Sequence, residues 1–158
     1  MLSNINAFSA LNLPAVEFKT KQGSEQRTEI FDAFRNKYVV LTPEEWVRQH
    51  MLHYIVNEFR YPKNLIGVEV TINRGGKKER ADIVVYMSTM EPWMIIECKA
   101  AEVELKQHVF DQAARYNLIH GVEYLVITNG LRLMAAEINS KLKSFNFLKE
   151  LPRYPKDQ

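Results

Sequence analysis

The sequence predicts an α/β domain, a mixed β-sheet flanked by helices on both faces. The strand-like runs 65–72, 81–87 and 93–96 are apolar at nearly consecutive positions, which is typical of strands buried on both faces. An amphipathic helical pattern begins at Thr42. A second helical pattern separates Lys99 from Tyr124, and this interval is long enough for a crossover between parallel strands. Helices on both faces then cover the sheet.

Length and composition indicate one domain over residues 1–158. The chain has 158 residues, 46% of them hydrophobic, which suits a single compact unit. We expect appended strands or a hairpin over 1–40, a core over 42–136, and a C-terminal helix and tail over 139–158. A net charge of +2 does not by itself indicate nucleic acid, so only a local basic patch could do so. One cysteine excludes an internal disulfide and a cysteine zinc site.

Neither a membrane span nor a secretory signal is apparent in the sequence. No apolar run approaches the roughly 18 residues of a membrane span. The first six residues lack the charged and apolar regions of a signal peptide. We therefore expect a cytoplasmic protein without membrane contact.

The first helix is predicted to start at Thr42 and to run to about Phe59. Thr42 suits the cap, Pro43 the first helical position and Glu45 the third, as in a capping box. Glu45 lies on the edge of the apolar face, so a catalytic role and a capping role both stay open. The apolar face comprises Val47, Met51, Leu52, Ile55, Val56 and Phe59.

A basic hairpin loop is predicted between the first two core strands. The segment 73–80 contains two glycines, which allow a tight reversal. Its cations could contact phosphates, although charged loops are commonly just solvated. These candidate nucleic-acid-binding residues are Arg74, Lys77, Lys78 and Arg80.

Two acids and a lysine are the candidate chemical centre. The five residues 88–92 between the strands allow only an antiparallel pair, which places Asp82 beside Glu97. Alternation along the strand puts Lys99 on the same face as Glu97, while Cys98 faces the other way as a packed thiol. Two carboxylates about 4 Å apart repel by roughly 4 kcal/mol, so Lys99 and a divalent cation such as magnesium are expected nearby. The alternative is that Asp82 caps a strand and Glu97 forms a structural ion pair with Lys99.

A second helix is predicted from Leu105 to His120, ended by Gly121. Gln112 interrupts its apolar stripe and needs buried hydrogen-bond partners, and Tyr116 lies one turn away. The alternative is a core tyrosine with a glutamine at the rim. The stripe comprises Leu105, Val109, Gln112, Tyr116 and Ile119.

The remaining segments predict a hairpin and a final helix. A buried strand over 122–128 is followed by Asn129 and Gly130, a strong two-residue turn, and by a strand over 131–136. The segment from Asn139 to Leu151 has an amphipathic pattern that indicates a helix.

Taken in this order, the motifs resemble the PD-(D/E)XK nuclease superfamily, and more closely the N-terminal nuclease domain of type I restriction enzyme R subunits. That resemblance implies a restriction-endonuclease-like αβββαβ core. Each motif is loose by itself, but their order and spacing are specific. The matching segments are 42–49 (TPEEWVRQ), 80–85 (RADIVV), 95–99 (IIECK), 112–117 (QAARYN) and 128–130 (TNG).

The resemblance implies a metal-dependent DNA nuclease that hydrolyses phosphodiester bonds. It implies Mg²⁺, with Mn²⁺ as a substitute, and DNA and other subunits of a DNA-processing complex as partners. The alternative is a non-catalytic nucleic-acid-binding or assembly module with the same fold. The sequence contains no Walker-type phosphate loop, so we expect no translocase activity from this chain. The implied catalytic residues are Asp82, Glu97, Lys99, Gln112, Tyr116 and Glu45, and the implied metal ligands are Asp82, Glu97, the Cys98 carbonyl and Glu45.

Overall fold

The computed structural model describes residues 7–74, 76–118 and 121–155, apart from the side chains at positions 74, 77 and 116–118. Within these ranges the chain forms nine strands and two α-helices. They are β1 (Thr20–Gln22), β2 (Thr28–Asp32), β3 (Lys37–Val40), α1 (Pro43–Asn57), β4 (Ile66–Arg74), β5 (Lys77–Tyr86), β6 (Pro92–Cys98), α2 (Gln107–Leu118), β7 (Tyr124–Thr128), β8 (Leu133–Asn139) and β9 (Ser144–Phe147).

A mixed six-stranded sheet forms the centre of the domain. Its strand order is β4-β5-β6-β7-β8-β9. Strands β6 and β7 are parallel and α2 connects them, whereas every other neighbouring pair is antiparallel. The predicted fold class is therefore confirmed.

Each face of this sheet is covered by one helix. On one face, α1 packs Met51, Leu52 and Ile55 into a cluster that includes Ile83 and Ile96. On the other face, Phe110 and Ala114 of α2 pack into a cluster that includes Val84, Ile95 and Leu125. Successive residues of β5 and β6 thus enter opposite cores, which explains their nearly continuous apolar sequence. No helix within the described ranges is long and apolar enough to cross a bilayer.

The start of α1 follows the predicted capping pattern. The Thr42 hydroxyl accepts a hydrogen bond from the Glu45 backbone N–H at 3.1 Å, and Pro43 is the first helical residue. The helix ends at Asn57, two residues before the predicted end.

The N-terminal region forms a separate three-stranded sheet. Strands β1 and β2 form the expected hairpin, and β3 adds a strand that was not predicted. The preceding segment packs against the core, where the Trp46 indole N–H donates to the Ser9 carbonyl at 3.1 Å and the Asn12 backbone N–H donates to the Gly130 carbonyl at 2.8 Å.

The predicted helix from Asn139 to Leu151 is wrong, because this segment contains β9 instead. The side chains of Phe145 and Phe147 alternate with polar residues and pack against Phe110, with ring centroids 5.5 and 4.8 Å apart. An alternating aromatic pattern suits a half-buried strand better than a helix. The Asn139 carboxamide oxygen accepts from the Leu142 backbone N–H at 3.0 Å and shapes the turn between β8 and β9.

Two predicted turns also differ in length. The pairing of β4 with β5 continues through Arg74 and Lys77, so most of the predicted loop 73–80 is strand. Thr128 pairs with Leu133, so the β7–β8 connection has four residues rather than two. The carboxamide oxygen of Asn129 accepts from the backbone N–H groups at 131 and 132, which stabilises the longer turn.

We expect the stability of the domain to fall as the pH decreases below about 6.5, the ordinary pKa of histidine. Burial lowers the pKa of both His50 and His53 in α1, although the Trp46 carbonyl at His50 partly offsets the effect. The Phe18 ring lies 4.9 and 5.5 Å from the two imidazoles. Because their pKa values are lower in the folded state, the unfolded chain binds more protons below that pH.

Thermal melting between pH 7.5 and 5.5 measures this effect. The wild type should lose a few degrees, since each kcal/mol corresponds to roughly 2–4 °C for a chain of this size. A His50→Gln/His53→Gln variant should show a flatter dependence, and His108→Gln, which changes an exposed histidine, should behave like the wild type. An unchanged slope in the double variant would contradict this explanation.

Candidate active site

Asp82 in the middle of β5 and Glu97 at the end of β6 lie at neighbouring positions. Their ladder includes the pair Ile83 and Ile96, and Asp82 and Glu97 are the next residues beyond that pair. The Cys98 backbone N–H donates to Asp82 Oδ2 at 2.8 Å. The Asp82 side chain therefore accepts the hydrogen bond that a backbone carbonyl would accept if the β5–β6 pairing continued. It lies next to the Glu97–Cys98 peptide.

The end of β6 separates a buried thiol from two polar side chains. Cys98 is 2% exposed and packs in the α1-side core, whereas Glu97 and Lys99 are half-buried. Burial, together with the charge of Asp82, raises the pKa of the Cys98 thiol well above its ordinary value. The thiol therefore stays protonated and acts as a packing group rather than as a nucleophile.

The turn after β7 anchors the chain around Lys99. The Lys99 backbone N–H donates to the Thr128 carbonyl at 2.8 Å, and the Asn129 side chain donates to the Val103 carbonyl at 2.8 Å. Gly130 has φ +80°, and a Cβ atom there would lie 2.7 Å from the Leu11 side chain. The segment 128–130 thus holds the backbone at Lys99 and four residues after it.

Arg48 of α1 holds Asp82, a contact that the sequence reasoning missed. Its Nη2 atom donates to Asp82 Oδ1 at 2.7 Å, and its Nη1 atom donates to Glu45 Oε2 at 2.5 Å. Burial alone would lower the pKa of this guanidinium, but the charges of Glu45 and Asp82 outweigh burial and raise it. Arg48 therefore carries a buried positive charge between two acids.

The Glu45 side chain contacts residues of this site and does not fold back onto the backbone at the start of α1. Its Oε1 atom accepts from Arg35 Nη2 at 2.6 Å and from Gln49 Nε2 at 2.8 Å. The structure thus links Glu45 to Asp82 through Arg48, and the predicted role of Glu45 as a metal ligand stays a prediction.

A larger charged network surrounds these contacts. One sequence signal could have found part of it, because Glu45, Arg48 and Gln49 share a helical face with Leu52 at spacings of three, four and seven residues. Among the described residues, Arg48 Nε and Gln49 Oε1 are buried without a hydrogen-bond partner. The buried or half-buried members are Asp32, Arg35, Glu45, Arg48, Gln49, Glu69 and Asp82.

Gln112 is exposed on α2, so the expectation that it needs buried partners is wrong. The buried residues of α2 within the described side chains are Phe110 and Ala114, which rotates the inner face of the helix away from the predicted stripe. The side chain of Tyr116 lies outside the described residues. The functional roles predicted for Gln112 and Tyr116 stay predictions.

The predicted basic patch lies on the β4–β5 hairpin. Lys78 and Arg80 are exposed, and Arg80 Nη2 lies 3.6 Å from Glu69 Oε2. The side chains of Arg74 and Lys77 lie outside the described residues. Exposed cations are therefore present two and four positions before Asp82.

The donor set of Asp82, Glu97 and the Cys98 carbonyl fits magnesium. No three His, Cys, Asp or Glu side chains in the described part of the chain converge on a common metal position. Magnesium is commonly held by one or two carboxylates and keeps several waters. The oxygens of Asp82, Glu97 and the Cys98 carbonyl are therefore enough protein ligands of the right type. Each Asp82 oxygen accepts one protein hydrogen bond and retains a second lone pair for a cation.

Comparisons with known proteins found a similar solved structure and a matching family model. One solved structure that is similar is the fragment of a putative HsdR subunit of a type I restriction enzyme from Vibrio vulnificus YJ016, with 20% identity and a TM-score of 0.46. The match covers 62% of this chain and 21% of that chain, so it spans about a fifth of that fragment. No curated protein matches.

The family model matches over residues 43–152, which include α1 and the whole six-stranded sheet. It describes the N terminus of the R protein of type I restriction enzymes. The chain belongs to this family, the type I restriction enzyme R protein N terminus (HSDR_N).

Proposed function

We propose that the chain is a metal-dependent DNA nuclease that hydrolyses phosphodiester bonds, as the resemblance to R subunits implies. The observation that supports this most is the arrangement between the middle of β5 and the end of β6. There Asp82 is the neighbour of Glu97, is oriented by Arg48 and the Cys98 backbone N–H, and lies near the strand end that carries Lys99. Family membership supports the same proposal.

In this proposal, Asp82, Glu97 and the Cys98 carbonyl hold Mg²⁺, and Mn²⁺ can substitute. Such an ion supplies Lewis-acid stabilisation of the charge on a phosphate. The Lys99 ammonium orients the attacking water or stabilises the negative charge that develops on the phosphate. Arg48 orients Asp82, because its guanidinium donates to Asp82 Oδ1 at 2.7 Å and stays charged throughout the ordinary pH range.

The proposed DNA contacts come from the β4–β5 hairpin. Lys78 and Arg80 are exposed there, and positive side chains bind the phosphate backbone without reading its sequence. Gln112 and Tyr116 are proposed to align the site or to contact the substrate backbone. The proposal includes other subunits of a DNA-processing complex as partners and a cytoplasmic location.

A second candidate is a nucleic-acid-binding or assembly module without turnover. Both Asp82 oxygens already accept hydrogen bonds from protein donors. This observation favours a protein that keeps the fold without cleaving DNA.

Cleavage of linear, circular and single-stranded DNA with Mg²⁺ or Mn²⁺, against EDTA, separates the two candidates. We expect metal-dependent cleavage by the wild type. Lys99→Met should lower its rate by about 10²–10³-fold, the usual effect of removing a preorganised electrostatic contact. Lys106→Met is the matched control, since Lys106 is exposed and pairs with Glu104 at 3.3 Å.

The control variant should cleave at the wild-type rate. DNA retention in a gel shift, without metal-dependent cleavage, would favour the binding module. Cleavage that survives Lys99→Met unchanged would contradict the proposed role of Lys99 and would point to a contaminating nuclease.

A further inference from the structure

The last residue of β2 and the turn between β2 and β3 contribute two charged side chains to the network around Asp82. This turn lies before residues 43–152, the part of the chain that matches the family model. Asp32 is nevertheless fully buried, and the Arg35 side chain is only 12% exposed. Buried charges are costly unless they are paired, so their placement needs an explanation.

Asp32 holds Arg35 in a fixed orientation. Asp32 Oδ1 accepts from the backbone N–H groups of Phe34 at 2.7 Å and Arg35 at 2.9 Å, and Oδ2 accepts from Arg35 Nε at 2.5 Å. Burial alone would raise the pKa of Asp32, but the hydrogen bonds from Arg35 and Gln49 outweigh burial and lower it. Asp32 therefore stays ionised and aims the guanidinium of Arg35 towards α1 and β4.

The two terminal nitrogens of Arg35 bind acids from different elements. Nη2 donates to Glu45 Oε1 of α1 at 2.6 Å, and Nη1 donates to Glu69 Oε2 of β4 at 2.6 Å. A planar guanidinium with fixed donor directions can span two such partners, whereas a lysine ammonium cannot reproduce this geometry. Arg35 thus clamps the start of α1 to the middle of β4.

Glu69 has a backbone conformation that a glutamate rarely adopts. Its φ of +52° lies in the left-handed region, and Val68 and Val70 on either side of it pair with Ile83 and Ala81. Residues two apart in a regular strand share a face, yet Val68 packs in the α1-side core and Val70 in the α2-side core. A strained backbone persists only where surrounding contacts impose it, and Glu69 binds Arg35 and approaches Arg48 at 3.4 Å.

These contacts lead directly to Asp82. Arg48 donates to Glu45 and to Asp82, and it lies next to Glu69. Without Arg35, Glu45 and Glu69 would each lose one cation, and both would attract Arg48 more strongly. Arg35, in the turn between β2 and β3, is thus connected to Asp82 through Glu45 and Arg48.

We propose that Arg35 is a positioning residue for the candidate metal site: it fixes Glu45 and Glu69 so that Arg48 orients Asp82. This inference rests on the proposed nuclease function. It makes the N-terminal sheet part of the site, although that sheet lies outside the family match.

Amide hydrogen exchange of the wild type and an Arg35→Lys variant tests this proposal. The substitution keeps the positive charge but removes the two terminal nitrogens that bind different acids. The Cys98 N–H donates to Asp82 Oδ2, so its exchange reports whether Asp82 is held in place. We expect about tenfold faster exchange at Cys98, with Ile96 of the same strand unchanged. Arg27→Lys is the matched control, since Arg27 is exposed and pairs with Glu25 at 2.7 Å in the same N-terminal region.

The affinity for Mn²⁺ is the second readout, measured by electron paramagnetic resonance below the melting temperature of each variant. It should fall about tenfold in Arg35→Lys and stay unchanged in Arg27→Lys. Equal acceleration at Cys98 and Ile96 would show a general loss of stability and overturn the proposal. So would an unchanged Cys98 amide, or faster Cys98 exchange with unchanged Mn²⁺ affinity. If the wild type bound no Mn²⁺, the nuclease proposal would fail by itself, while the exchange comparison would still decide whether Arg35 positions Asp82.

Discussion

Asp82→Asn is expected to lower metal-dependent DNA cleavage by at least about 10³-fold. A cation that stabilises transition-state charge contributes several kcal/mol, and each 1.36 kcal/mol corresponds to a factor of ten in rate. Asparagine has nearly the same shape but no charge, so a hard cation loses one of its two carboxylates. The amide also cannot accept from both Arg48 and the Cys98 N–H, which costs about 1–3 kcal/mol for the unpaired donor.

The rate of DNA cleavage and the affinity for Mn²⁺ should therefore fall together in this variant, while the fold is kept. Asp111→Asn provides the matched control, because Asp111 lies on α2 and accepts from Gln107 at 2.9 Å. It should leave both quantities unchanged. Wild-type cleavage by Asp82→Asn would exclude Asp82 as a metal ligand.

Arg48→Met is expected to destabilise the domain by about 3–5 kcal/mol. Methionine keeps much of the length of the side chain but leaves the Glu45 and Asp82 carboxylates without their shared cation. Removing one member of a buried ion pair typically lowers the free energy of unfolding by this amount. For a chain of this size, that loss corresponds to a melting temperature about 6–20 °C lower.

Chemical denaturation of the variant and of an Arg27→Met control measures the difference. Arg27 pairs with Glu25 at the surface, and exposed pairs contribute about 1 kcal/mol or less. Similar losses of unfolding free energy in the two variants would show that the buried ion pairs of Arg48 do not stabilise the domain more than a surface pair does.

The neighbouring positions of Asp82 and Glu97 could be predicted because they depend on local rules. A short connection between two strands imposes antiparallel pairing, and antiparallel pairing brings the start of one strand to the end of the next. The cap at Thr42 and the two-sided burial of β5 and β6 follow from equally local patterns.

The arginine network could not be predicted in this way. The contact between Arg35 and Glu69 joins residues 34 positions apart, and it depends on a left-handed backbone at Glu69 that no sequence pattern indicates. Arg48 had a local signal in its spacing from Glu45, but its contact with Asp82 depends on how α1 packs against the sheet.

The errors on α2 and at the C-terminus have a common cause. The amphipathic pattern over 139–151 predicts a helix, whereas the alternation of Phe145 and Phe147 matches the strand that forms. On α2, the stripe of Leu105, Val109 and Tyr116 predicts a buried Gln112, whereas the buried residues are Phe110 and Ala114. In both segments the aromatic residues that pack against each other determine which face is buried.

The central claim is that a single hard cation contacts the carboxylates of both Asp82 and Glu97. An anomalous difference map from crystals of the wild type soaked with Mn²⁺ tests this most directly. We predict a manganese peak between the middle of β5 and the end of β6, at coordination distance from both carboxylates, and no such peak in Asp82→Asn crystals. A map with no peak at these two side chains, or with the same peak after Asp82→Asn, would contradict the account.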